Sequence, residues 1–251
     1  MGSITNNLQE VRQRIAAACA DAGRNANICT LAAPHNGSGA AGLSQDVTLL
    51  AVSKTFGEDA VRQAHAAGQL AFGENYVQEA LAKIAALADL RPRIQWHLIG
   101  PLQSNKTRVV AEAFDWVHSV DRLKTAQRLA EQRPSSLPPL NLCLQVNVSG
   151  ESSKSGVAPA DVPALARAVA ALPSARVRLR GLMSIPQPAQ GQAAQRAPHR
   201  VVRELLLSLN AAGHELDTLS MGMSADLEAA VAEGATLLRV GSAIFGQRSP
   251  A

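Results

Sequence analysis

With 251 residues, 47% of them hydrophobic and 3% aromatic, the chain can bury a large core but is poor in the rings that build aromatic-rich sandwiches or base-stacking surfaces. Its net charge of +4 is spread along helical stretches such as Arg122 to Arg133, where acidic residues interrupt the basic ones, which describes a solvated face rather than a nucleic-acid groove. Three cysteines, Cys19, Cys29 and Cys143, form no CxxC pair and leave an odd one over, which argues against a disulfide framework and fits a reducing compartment.

The first predicted element is a helix, in which Leu8, Val11, Ile15, Cys19 and Ala22 recur at helical spacing until Gly23 stops it. Ahead of it, Met1-Gly2-Ser3-Ile4-Thr5-Asn6 holds no apolar signal core, and Asn6 stands where a myristoylation motif needs Ser or Thr. No uninterrupted apolar segment approaches membrane-spanning length, so a cytoplasmic protein is expected. Residues 30–46, rich in Gly, Ala, Ser and Asn, read as a flexible surface insertion. Within it Gly37-Ser38-Gly39-Ala40-Ala41-Gly42 matches GxGxxG, but the strand follows the motif instead of preceding it, the reverse of a dinucleotide-binding turn.

From there apolar runs alternate with amphipathic segments. The runs are Val47–Lys54, Leu70–Tyr76, Gln95–Gly100, Trp116–Val120, Asn141–Val148, Val177–Ile185, Leu216–Gly222 and Leu237–Phe245. Between them, Val77–Leu90, Asp121–Gln132, Pro159–Leu172, His199–Ala212 and Ala225–Glu233 read as helices, several preceded by Ser or Asp suited to N-capping. This alternation predicts an α/β fold, a TIM (β/α)8 barrel with an extra N-terminal helix, forming one domain over residues 1–251. An open doubly wound sheet is the alternative, because a single sequence does not give strand order.

In such a barrel the functional groups emerge where each strand turns polar. The first run ends in Ser53-Lys54-Thr55. A lysine there either reaches into water on its long stem or, held at the end of a hydrophobic strand, serves as an amine nucleophile toward aldehydes, the use that pyridoxal phosphate (PLP) makes of lysine. Later strand ends supply Asn75, His97, His118, Asn147, Ser220 to Ser224, and Gly241-Ser242. Loops after the seventh and eighth strands are where barrels often hold phosphate. Ser224 is expected to cap a helix there, with Gly222 letting the backbone come close, although a Gly turn with a Ser cap is also ordinary strand-to-helix chemistry. Arg239 interrupts the last run and shares a face with Gly241; it is read either as a donor to a pyridine nitrogen or as half of an ion pair with Glu74 or Asp217. His97 and His118 lie on separate strands with no HxH or HExxH, so no metal site is expected, and no GxSxG or Walker A motif occurs. Met183, Met221 and Met223 read as pocket wall or core.

Five segments in chain order carry a resemblance: Leu49-Leu50-Ala51-Val52-Ser53-Lys54; Phe72-Gly73-Glu74-Asn75-Tyr76-Val77-Gln78-Glu79; Trp96 to Lys106 with Gly100-Pro101-Leu102-Gln103-Ser104; Gly181-Leu182-Met183-Ser184-Ile185-Pro186; and Leu219 to Glu228 with Ser220-Met221-Gly222-Met223-Ser224. With Arg239-Val240-Gly241-Ser242-Ala243-Ile244-Phe245-Gly246 they resemble the pyridoxal phosphate homeostasis protein family over nearly the whole chain, from Leu8 to Arg248. The resemblance implies the barrel fold of alanine racemases and pyridoxal 5'-phosphate as cofactor, carried as a Schiff base on Lys54. It also implies Asn75 lining the pocket, Arg239 facing the pyridine nitrogen, and Ser220, Met221, Ser224, Gly241 and Ser242 at the cofactor, with Ser220, Gly241 and Ser242 on its phosphate. Lys154, in Ser153-Lys154-Ser155-Gly156, matches a second family lysine of open role. Two departures stand out: the 30–46 insertion is longer than the family usually carries, and Ser242 replaces a more usual Thr without losing the hydroxyl.

A racemase needs a base on each face of the substrate carbanion, and in alanine racemases the second is a tyrosine from an additional β domain. This chain stops shortly after its eighth run, and its single tyrosine, Tyr76, points away from the pocket if Asn75 points in. The expectation is therefore a non-catalytic PLP carrier in vitamin B6 homeostasis, with a weak PLP-dependent amino-acid racemase as the alternative. Its expected partners are PLP and PLP-dependent apoenzymes, with no nucleic acid and no membrane, the chain itself being monomeric.

Overall fold

The computed structural model describes residues 2–24, 27–31, 45–151 and 155–246. After α1 (Ile4–Asp21) and a two-residue β1 (Ile28–Cys29), β2 (Val47–Val52), α2 (Glu58–Ala66), β3 (Ala71–Glu74), α3 (Val77–Ala86), β4 (Gln95–Leu98) and α4 (Thr107–Ala113) follow. The second half runs β5 (Trp116–Val120), α5 (Leu123–Gln132), β6 (Leu140–Val146), α6 (Val162–Ala170), β7 (Val177–Ser184), α7 (Gln192–Ala211), β8 (Thr218–Ser220), α8 (Leu227–Ala232), β9 (Leu237–Val240) and α9 (Ser242–Phe245). All strands pair in parallel and in chain order, and β9 returns to β2 through Thr48↔Leu237 to Ala51↔Val240. That last pairing closes β2 to β9 into an eight-stranded barrel and excludes the open sheet.

Strand alternation explains why β2, buried throughout, is apolar at every position but Thr48. Leu49 and Ala51 pack outward with Leu8, Ile15, Phe72 and Trp96 under the helices, whereas Leu50 and Val52 point inward with Trp116, Cys143, Met183 and Leu237. Arg239 is two residues beyond the inward Leu237 and so enters the barrel interior.

The helix outside the βα repeat is tied to the barrel's last loops. The α1 side chain Asn7 donates from Nδ2 to the Ile244 carbonyl at 2.8 Å, and Arg14 holds Glu228 at 2.6 and 2.7 Å while donating to the Ser224 carbonyl at 2.9 Å. No helix among the described residues is long and apolar enough to cross a membrane.

Three expectations need correction. The run Leu237–Phe245 is not one strand: Gly241, at φ −118° and ψ −75°, leaves the extended region, and Ser242–Phe245 turns as a short helix. Helix α7 begins at Gln192, well before His199, and accommodates Pro198 inside it. Among the described residues, side-chain capping by Ser or Asp is confined to Ser3, whose hydroxyl accepts the Asn6 N–H at 3.3 Å; Asp161 and Asp226 occupy cap positions without a side-chain cap bond. Most of the predicted insertion, 32–44, together with its GxGxxG, lies outside the described residues.

Candidate functional site

A cavity of about 550 Å³ opens at the C-terminal end of the strands. The end of β2 gives it Val52, Lys54 and Phe56; β3 and β4 give Asn75 and Ile99; Ile185 follows β7. The remaining wall is Met223, Ser224 and Ala225 after β8, and Arg239, Gly241, Ser242 and Gly246 on and after β9. Of the expected site residues, Lys54, Asn75, Ser224, Arg239, Gly241 and Ser242 thus share one cavity. Ser220 and Met221 are fully buried and lie off its wall. Lys154 is outside the described residues.

Lys54 follows the buried Ser53, the first residue past β2, in a turn, with its side chain partly buried at the cavity. Asn75 follows the next strand and lies beside Lys54 in space, since β2 and β3 pair through Val52↔Gly73. Its Oδ1 is buried and has no hydrogen-bond partner among the described residues, an acceptor that a ligand donor or a water can satisfy. Tyr76, the next residue, is 55% exposed and not part of the cavity wall.

Arg239 is 3% exposed, and no carboxylate lies within ion-pairing distance of it among the described residues. Both partners considered from the sequence are taken: Glu74 by Lys83 at 2.6 Å, Asp217 by Arg180 at 2.7 Å. Instead Arg239 donates from Nη1 to the Ser220 carbonyl and to its Oγ (2.8 Å), and from Nη2 to the Ser184 carbonyl (2.7 Å). Burial lowers its pKa to about 10, which still leaves a cation at neutral pH. The Ser220 hydroxyl continues to His118 Nδ1 (2.8 Å), and His118 Nε2 to His97 Nδ1 (3.0 Å), with His97 stacked on Trp116 at 5.3 Å. Burial pushes His97 down to about 3 and His118 well below its ordinary value, so both rings are neutral hydrogen-bonding groups. Ser220 therefore serves as the support of Arg239 in this structure.

After β8, Gly222 takes φ +89°, and a β-carbon on it would lie 2.5 Å from that of Ala230, so only glycine fits the turn. The expectation that Ser224 caps the next helix is not met. Helix α8 starts at Leu227, and Asp226 Oδ1 accepts the Met223 N–H at 2.7 Å, leaving Ser224 on the cavity wall instead. The backbone N–H groups of Ser224, Ala225 and Ser242 have no protein acceptor among the described residues. With two hydroxyls, these amides form a set of donors suited to an anion.

An amine, an unpartnered amide oxygen, a buried guanidinium and a group of free N–H donors around one cavity suit a ligand with an anionic end, a hydrogen-bonding ring and an amine-reactive carbonyl. Sequence reasoning missed the apolar walls Val52, Phe56, Ile99 and Ile185. Each lies at or within a few residues of a strand end, which is the signal that would have found them.

The fold and this site define the alanine racemase type of barrel. Residues 28–249 match the family described as alanine racemase, N-terminal domain. An alanine racemase from Clostridium difficile superimposes with a TM-score of 0.66 at 14% identity, covering 83% of this chain and 54% of the racemase, a likeness of fold. PipY of Synechococcus elongatus, solved with PLP bound, superimposes with a TM-score of 0.77 at 38% identity, covering 97% of this chain and all of PipY. The pyridoxal phosphate homeostasis protein of Pseudomonas aeruginosa is 58% identical over 248 residues, 99% of this chain and 97% of the relative. That of Escherichia coli K12 is 47% identical over 249 residues, 99% of this chain and 98% of the relative. The chain belongs to the pyridoxal phosphate homeostasis protein family.

Proposed function

We propose that this chain binds pyridoxal 5'-phosphate in the cavity, holds it covalently on Lys54, and acts in vitamin B6 homeostasis as a carrier in the cytoplasm, with PLP-dependent apoenzymes as recipients. The observation that carries the reading is that Lys54, Asn75, Arg239 and the Ser224 and Gly241-Ser242 loops, separated along the chain, line one cavity. Bound PLP supplies an aldehyde carbon open to an amine and a ring that withdraws electrons. Lys54 Nζ would hold the group at that carbon. The amides of Ser224, Ala225 and Ser242, with the two hydroxyls, hold the phosphate. Asn75 Oδ1 accepts from the ligand's edge.

Arg239 faces the ring nitrogen as a permanent donor. A guanidinium cannot accept a proton there, so it keeps that nitrogen unprotonated and weakens the ring as an electron sink. Tyr76 is turned out of the cavity and supplies no second base. Both features favour a carrier over a racemase.

The test is an absorbance spectrum. Purified protein, or protein reconstituted with PLP, should absorb in the visible and lose that band on Lys54→Ala. A wild-type protein that stays colourless after reconstitution would overturn the reading.

A further inference from the structure

We infer that Lys83 is a positioning residue for Lys54: with Glu74 and Glu79 its buried ammonium clamps both residues that flank Lys54 and so aims the Lys54 amine. This rests on Lys54 being the PLP-bearing residue. Lys83 stands on the buried face of α3 with Val77 and Ala80, at a position where packing alone would place an apolar side chain. Its side chain is only 3% exposed, and an ammonium there is costly unless its donors are all used. They are: Nζ donates to Glu74 Oε1 at 2.6 Å, to the Ser53 carbonyl at 2.8 Å and to Glu79 Oε1 at 3.3 Å.

Each acceptor leads to a neighbour of Lys54. Ser53 is gripped twice, through its carbonyl by Lys83 and through its hydroxyl, which donates to Glu74 Oε1 at 2.6 Å. On the other side, the Thr55 N–H donates to Glu79 Oε1 at 2.6 Å. Thr55 has φ +68°, the only left-handed non-glycine among the described residues, and it is β-branched, for which that conformation is strongly disfavoured. Such a backbone persists only where its surroundings over-determine it. Here they do, because Glu79 holds the amide and the Phe56 N–H returns to the Ser53 carbonyl at 3.1 Å. The backbone of Lys54 is thus fixed from both sides, and its amine reaches the cavity from a set direction. Binding of the phosphate and ring uses other residues, so the clamp acts only on the bond to Lys54.

Two ligands separate these contributions. PLP carries the aldehyde; pyridoxine 5'-phosphate carries an alcohol in its place and cannot form the C=N bond. Glu79 is one-third exposed, so Glu79→Ala removes the Thr55 acceptor while leaving the buried Lys83–Glu74 pair intact. This variant should bind PLP, followed by the visible band, more slowly and more weakly by about tenfold or more, with pyridoxine 5'-phosphate affinity unchanged. Glu79→Gln, whose amide oxygen still accepts from Thr55, should restore PLP binding. The double variant Lys83→Met/Glu74→Gln, which removes both buried charges, should show the same selective loss; if it fails to fold, the Glu79 variants decide. Equal losses for the two ligands, a loss confined to pyridoxine 5'-phosphate, or no loss at all would overturn the inference. Failure of the underlying reading is distinct: wild-type protein would then bind PLP without the visible band.

Discussion

Gly100 and Asn75 meet backbone to backbone: a β-carbon on Gly100 would lie 2.1 Å from the Asn75 carbonyl oxygen, far inside contact distance. The loop after β4 thereby braces the cavity wall at the end of β3, and no positive φ is involved. Space alone demands glycine.

Gly100→Ala is therefore expected to push Asn75 off the wall and to destabilise the fold by about 1–3 kcal/mol through overpacking. If, as proposed, Asn75 serves the ring and not the phosphate, affinity should fall alike for PLP and for pyridoxal. Titrations with both ligands, beside urea unfolding, check this; a loss confined to PLP would place Asn75 at the phosphate.

Gly241→Leu tests the opposite selectivity. A β-carbon at Gly241 already comes within 3.1 Å of the Val52 carbonyl oxygen, so a large side chain crowds the turn that presents Gly241 and Ser242 to the cavity. PLP binding should weaken far more than pyridoxal binding. Equal losses would indicate general unfolding or a misplaced phosphate.

Catalysis is open to direct measurement in deuterated water. With L-alanine and other amino acids, the PLP-loaded protein should exchange α-protons little faster than free PLP if, as proposed, Arg239 denies the ring a proton while Tyr76 faces outward. Mass spectrometry of the recovered amino acid reads the exchange. Rapid exchange or racemisation that saturates in substrate would restore the enzyme reading.

The buried histidines predict an acid-sensitive fold. Burial lowers His97 to about 3 and His118 well below 6.5, so below the unfolded value the unfolded chain takes up protons that the folded one refuses. The histidines' contribution to stability should be level above neutral pH and fall as pH drops below about 6.5, by up to about 1.4 kcal/mol per pH unit for each ring. Urea midpoints between pH 7.5 and 4.5 measure the slope, in a window above most carboxylate titrations (~pH 4). His118→Asn should shallow the slope by about one proton's worth; an unaltered slope would mean that other groups cause it.

The barrel was legible because its strands are buried on both faces and stand out as apolar runs between amphipathic ones. Boundaries blurred where an apolar stretch continued past a break in conformation: Ala243-Ile244-Phe245 look like strand residues, yet Gly241 turns them into a helix. Lys54, Arg239 and Gly241 were found as polar or glycine interruptions at strand ends. The carboxylate partners considered for Arg239 were beyond reach of the sequence, because choosing between carbonyl acceptors and Glu74 or Asp217 depends on which side chains converge across the barrel. Lys83 left a trace only in hindsight, as a charge in the apolar stripe of α3. His97 and His118 are buried hydrogen-bonding groups rather than metal ligands, and their link to Arg239 through Ser220 joins four strands whose distances no spacing encodes.

The seam between β2 and β9 sets when the site can come into being. Lys54 follows the first barrel strand and Arg239 lies in the last, so the cavity does not exist until β9 has been made and the ends of the sheet have met. A chain that stops before β9 holds the lysine side without the arginine. Cofactor uptake thus reports a finished barrel, and a chain stalled during synthesis or folding has no complete place to sequester the vitamin.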